Sequence, residues 1–183
     1  MIVVMPMGHT GPFRFGPPND GSFERQMREF VDDFVLDLKP HVESLYRIHG
    51  DQAHRAIAGL SMGGAQALDI ASSHLEDYGY VGVFSPGIFG IAGGFGGTPP
   101  STKWEDEHLA ILDNADAKRG LNLVWFGCGR EDFLVQMSNA TVKMLRSHKF
   151  DVVYRESEGG HTWSNWRSDL HEFAPLLFID LAR

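Results

Sequence analysis

Short apolar runs alternate along this chain with longer stretches of helical period, and that rhythm restricts the fold more than any other feature. The runs are Ile2 to Met5, Arg55 to Leu60, Tyr80 to Phe84, Leu121 to Cys128 and Val152 to Tyr154. Strands separated by helices read as a parallel sheet with helices packed on it. Between the first two runs, Phe23, Met27, Phe30, Phe34 and Leu38 recur at spacings that place them on one helix face. Pro40 predicts a kink or restart in that helix on the way to Tyr46. Further helices are predicted around Leu68, Ala71 and Leu75, around Leu109 and Leu112, around Met137, Ala140, Met144 and Leu145, and around Trp166, Leu170, Phe173 and Leu177. The glycine-rich stretch from Gly87 to Pro100 reads as a mobile surface loop and not as a linker. The fold class is therefore α/β, with a mostly parallel sheet flanked by helices. At 183 residues and 43% hydrophobic content, a single domain over residues 1–183 is expected.

The net charge of −8 offers no positive field to gather phosphate backbones or anionic lipid headgroups, so nucleic-acid and membrane-surface partners are not expected. No apolar stretch is long enough to predict a transmembrane helix, and MIVVMPMGHT has neither a basic leader region nor a small-residue cleavage site. A lone cysteine, Cys128, excludes an internal disulfide framework and reads as a buried apolar residue.

The strongest chemical signal is Gly59-Leu60-Ser61-Met62-Gly63-Gly64, a G-x-S-x-G pattern between a predicted strand and a predicted helix. In that setting a sharp turn lifts the serine hydroxyl above the sheet, and the glycines let neighbouring backbone pass close to a strained residue. The helix beginning at Met62 directs its N-terminal dipole at an oxyanion, so the Met62 N–H is a candidate donor to it. A serine hydroxyl is a weak nucleophile unaided and requires a base and an orienting acid. In hydrolases of this type they follow in the chain order serine, acid, histidine.

Gly159-Gly160-His161-Thr162-Trp163 follows the last predicted strand, and its glycines allow a turn that swings an imidazole back across the sheet rim, which makes His161 the candidate base. Gly129-Arg130-Glu131-Asp132-Phe133 follows the preceding strand. Asp132 suits a turn entering a helix and is the candidate acid, with Glu131 as its competitor. Most other histidines, His148 among them, fall on helices or polar connections and read as solvated. His9, after Met5-Pro6-Met7-Gly8, is the exception and could line the cleft. The expected reaction is two-step acyl transfer through an acyl-enzyme. It requires no cofactor, and the histidines show no zinc-ligand spacing. Trp125 reads as core, whereas Trp104 and Trp163 are candidates to stack on an aryl or sugar group.

The chain resembles the esterase D family, the group that includes feruloyl and acetylxylan esterases of carbohydrate esterase family one. The resemblance runs through Asp33-Phe34, Asp37-Leu38-Lys39-Pro40, His54 to Gly64, Gly127 to Asp132, Gly160 to Trp163 and Trp166-Arg167. It implies an α/β-hydrolase fold and a serine esterase acting on feruloyl, acetyl or other short acyl or aryl esters, including those of plant polysaccharides. An acyltransferase of the same fold and an inactive fragment are the alternatives. Members of the group usually carry further strands and a His-Gly loop before the segment matching Ile2 to Met5. Against that pattern the chain is expected to be N-terminally truncated, with backbone around Gly8 and His9 as a substitute for the missing oxyanion donor. The sheet edge left open by such a truncation predicts a homo-oligomer.

Overall fold

The computed structural model describes residues 1–12, 21–85, 87–93 and 98–179. The chain divides into two compact units, Met1–His49 and Gly50–Arg183. In the first unit, helix α1 (Ser22–Asp33) passes through a π-helical turn (Phe34–Leu38) into α2 (Lys39–Leu45), which carries Pro40 in its first turn. The helix runs on through this point, the Lys39 N–H donating to the Phe34 carbonyl, and the wide turn stands just before Pro40, whose ring and missing N–H disturb a regular helix and predict a kink or restart there. Met27 and Phe30 are buried on the face that the spacing defines.

The run Ile2 to Met5 is a departure from the sequence reading. It forms no strand, and its side chains are exposed, from 46% at Val4 to 88% at Met5. β-Branched residues favour strands only where a pleated surface accepts them, and β1 (Ala56–Leu60) has β2 (Tyr80–Phe84) as its only ladder partner among the described residues.

The second unit carries a four-stranded sheet in the order β1-β2-β3-β4, with β3 at Leu123–Gly129 and β4 at Val152–Ser157, every pair parallel. Parallel neighbours need crossovers, and α3 (Met62–Ser73), α4 (Lys103–Leu112) with α5 (Ala115–Lys118), and α6 (Val135–Ser147) supply them. Helix α7 (Trp163–Phe173) follows β4. Asn114 caps α5 by accepting from the Asp116 and Ala117 N–H groups at 3.0 and 3.1 Å. Of the predicted glycine-rich loop, residues 94–97 lie outside the described residues, and Gly90 and Gly93 form an isolated antiparallel bridge.

The register sorts the side chains onto two faces. Ile57, Val81, Val83, Val124, Phe126 and Cys128 share one face, whereas Leu60, Phe84, Leu123, Trp125 and Val153 share the other. On the second face Phe84, Trp125, Trp166 and Phe173 form a buried aromatic cluster, with the Phe84 and Trp125 rings edge-on at 5.3 Å. Helix α7 comes this close because two strand positions beneath it lack side chains. A β-carbon on Gly82 would stand 2.8 Å from the Phe173 ring, and one on Gly127 would stand 2.6 Å from the Trp125 ring and 2.7 Å from the Asp169 carboxyl carbon.

Candidate active site

Parallel strands bring their C-terminal ends to one rim, and the loops after β1, β3 and β4 carry Ser61, Asp132 and His161. Ser61 occupies the turn between β1 and α3 with φ 50° and ψ −125°. A non-glycine residue holds such a conformation only under constraint. The constraint is visible: the Ser61 N–H donates to the Phe84 carbonyl at 2.8 Å, and the Ser61 carbonyl accepts from the Gly64 N–H at 2.9 Å. A β-carbon on Gly59 would overlap the Gly63 carbonyl, so the sharp turn requires glycine at 59. Around the equivalent position on Gly63 nothing stands within 4 Å, so the steric role expected of the motif glycines does not extend to Gly63.

The Ser61 hydroxyl lies 2.8 Å from His161 Nε2. On the other side of the ring, His161 Nδ1 lies 2.9 and 3.1 Å from the two Asp132 oxygens. The Asp132 carboxylate is buried and also accepts from the Leu134 N–H at 2.8 Å, which fixes its direction. Glu131, its competitor, is exposed and contributes its backbone N–H to the Gly159 carbonyl at 3.0 Å. That bond ties the acid loop to the histidine loop. Thr162 caps α7, and Asn165 holds the histidine loop from beneath, donating to Ser157 Oγ at 3.0 Å and to the Glu158 carbonyl at 2.6 Å.

Met62 is the first residue of α3, so its N–H is among the donors a helix leaves without an internal acceptor. Gly8 and His9 belong to the first unit. Trp163 is 75% exposed and stands edge-on to Trp166, which in turn meets the His161 ring edge-on at 4.8 Å. Trp104 has a packing role: its indole N–H donates to Asp69 on α3, and its ring stacks on His108 at 4.0 Å. Asp69 is eight residues beyond Ser61 on that helix, about 12 Å along its axis.

Three features escaped the sequence reading. Phe133 is 65% exposed and lies against the His161 ring, with centroids 4.7 Å apart. Its place beside Asp132 was the available signal. Asp169 is buried on α7, and one of its oxygens has no hydrogen-bond partner among the described residues. Burial first, then the charges of Glu172 and Asp132, push its carboxyl up to about 6. His148 is not solvated but is held between Asp113 at 2.7 Å and Glu105 at 2.9 Å, with its side chain 11% exposed. Those two carboxylates, Asp113 foremost, raise its pKa.

Residues 1–177 match the model of the Esterase family, described as "Putative esterase". The chain is 29% identical over 178 residues to an endo-1,4-beta-xylanase/feruloyl esterase of Xylanibacter ruminicola, covering 97% of this chain and 21% of that protein. It is 26% identical over 176 residues to an acetyl esterase of Caldicellulosiruptor saccharolyticus, covering 83% of this chain and 66% of the relative. It therefore spans less than two thirds of either. The structure of a carbohydrate esterase family one ferulic acid esterase from Anaeromyces mucronatus, in complex with ferulic acid, superposes with a TM-score of 0.75 at 22% identity. That match covers 92% of this chain and 61% of the other, and it establishes the α/β-hydrolase fold.

Proposed function

This chain belongs to the Esterase family, and on that premise we propose that it hydrolyses carboxylic esters with Ser61 as nucleophile, His161 as general base and Asp132 as orienting acid. The observation that carries the reading is the unbroken line of short contacts from hydroxyl to imidazole to carboxylate. His161 Nε2 takes the proton as Ser61 Oγ attacks the ester carbonyl, while Asp132 holds the Nδ1–H and stabilises the imidazolium. The tetrahedral oxyanion is met by the Met62 N–H and the positive end of α3. On collapse, the imidazolium protonates the departing alcohol and leaves an acyl group on Ser61. Water, deprotonated by His161, then releases the acid.

The substrates are proposed to be feruloyl, acetyl or other short acyl or aryl esters. The names of the relatives support this range, and the exposed Trp163 beside the His161 loop supports an aromatic or sugar group stacked there. The test is hydrolysis of p-nitrophenyl acetate and labelling by a fluorophosphonate. Wild type should show both and Ser61→Ala neither, with Asp132→Asn slower by about 10⁴. Equal rates in wild type and Ser61→Ala would refute the reading.

A further inference from the structure

The proposed mechanism uses both nitrogens of His161 and leaves its ring faces and edges unaccounted for, yet two aromatic side chains contact them. The Phe133 ring is tilted at 51° with its centroid 4.7 Å from that of the imidazole, and the Trp166 ring stands at 90° and 4.8 Å. We infer that Phe133 is a positioning residue for His161 whose ring also stabilises the imidazolium formed during catalysis. The inference rests on the esterase reading above.

Phe133 directly follows Asp132, in a turn held by the Leu134 N–H on the Asp132 carboxylate at 2.8 Å and by the Val135 N–H on the Asp132 carbonyl at 3.0 Å. One turn thus aims a carboxylate at Nδ1 and a phenyl ring at the imidazole. Trp166 bounds the ring elsewhere, itself fixed in the aromatic cluster under α7. With Asp132 at one nitrogen and Ser61 at the other, the imidazole is bounded at both polar atoms and by two apolar rings.

The changing charge of His161 separates this contact from ordinary packing. His161 is neutral when it accepts the serine proton and cationic until it returns it. A cation within about 6 Å of an aromatic centroid is attracted by the electron-rich ring face, and a neutral group gains much less. The interaction therefore strengthens as the transition state is approached, which is the condition for raising kcat. For a largely exposed ring the attraction corresponds to a factor of about two to five in rate. Because Phe133 is 65% exposed, its ring contributes little to the core and can be altered without unfolding the protein.

The test compares Phe133→Leu and Phe133→Tyr with wild type on ethyl acetate, followed by pH-stat titration, because no part of this ester can stack on the ring being changed. Leucine keeps apolar bulk but has no π face, whereas tyrosine keeps the ring. The expected result for Phe133→Leu is a kcat lower by about two- to fivefold, with KM and melting temperature unchanged. Phe133→Tyr should recover the wild-type kcat. A Phe133→Leu variant as fast as wild type, a tyrosine variant as slow as leucine, or a loss confined to KM would each overturn the inference while leaving the esterase reading intact. A wild type no faster than Ser61→Ala would overturn both.

Discussion

Replacing Asp169 by Asn should change the stability of the protein in a pH-dependent way, the variant gaining on wild type as the solution passes from acid to neutral. The carboxyl is 3% exposed on α7, packed over Gly127, with one oxygen lacking a hydrogen-bond partner among the described residues. Burial, Glu172 and Asp132 together lift it from 3.8 to about 6. Since the folded value is raised, the native state holds the proton more tightly than the unfolded chain. Stability present below about pH 4 is then lost as pH rises through about 6. At about 1.4 kcal/mol per pH unit the loss reaches about 3 kcal/mol, a sizeable share of the roughly 5–15 kcal/mol that holds a domain together. Asparagine has the same shape and carries no charge. Its amide also lacks partners, at a cost of about 1–3 kcal/mol that does not vary with pH. The informative quantity is therefore the change in the difference between variant and wild type, which cancels that constant. Urea unfolding followed by tryptophan fluorescence at about pH 4 and about pH 8 measures it. The variant should gain about 2.5 kcal/mol on wild type between the two conditions, since part of the unfolded-state ionisation is already complete at about pH 4. A difference that stays constant would show that Asp169 ionises in the fold as freely as in the unfolded chain, and the argument from burial would fail.

Other expectations concern stability and assembly. His148, raised by Asp113 and then Glu105, contributes stability that is fully present below its ordinary 6.5 and lost as pH rises through its raised value. His148→Gln should therefore melt below wild type at about pH 6, with the gap narrowing in alkaline buffer. Gly127→Ala would set a β-carbon 2.6 Å from the Trp125 ring and 2.7 Å from the Asp169 carboxyl carbon. It should lower the unfolding free energy by about 1–3 kcal/mol in urea titrations. We also expect β1, an edge strand of the sheet, to support a homo-oligomer, which light scattering at working concentration would reveal and a monomeric mass would contradict.

What the amino-acid sequence determined by itself was whatever depends on neighbours along the chain. The apolar runs at Tyr80 to Phe84 and Val152 to Tyr154, the helix face from Phe23 to Leu38 and the restart at Pro40 could all be read, because side-chain period and backbone restriction act over a few residues. The Gly59 turn was legible for the same reason, and so was the order in which Ser61, Asp132 and His161 follow strands. The tertiary structure alone decided whatever needs a partner distant in sequence. Ile2 to Met5 has the composition of a strand and no ladder, since pairing is a property of two segments. Trp104 is occupied by Asp69 and His108, and His148 is enclosed by two acids from the α4 side. The unusual state of Asp169 arises because β3 carries a glycine where α7 crosses it. Burial and electrostatics are set by what folding brings near, and local sequence holds no record of that distance.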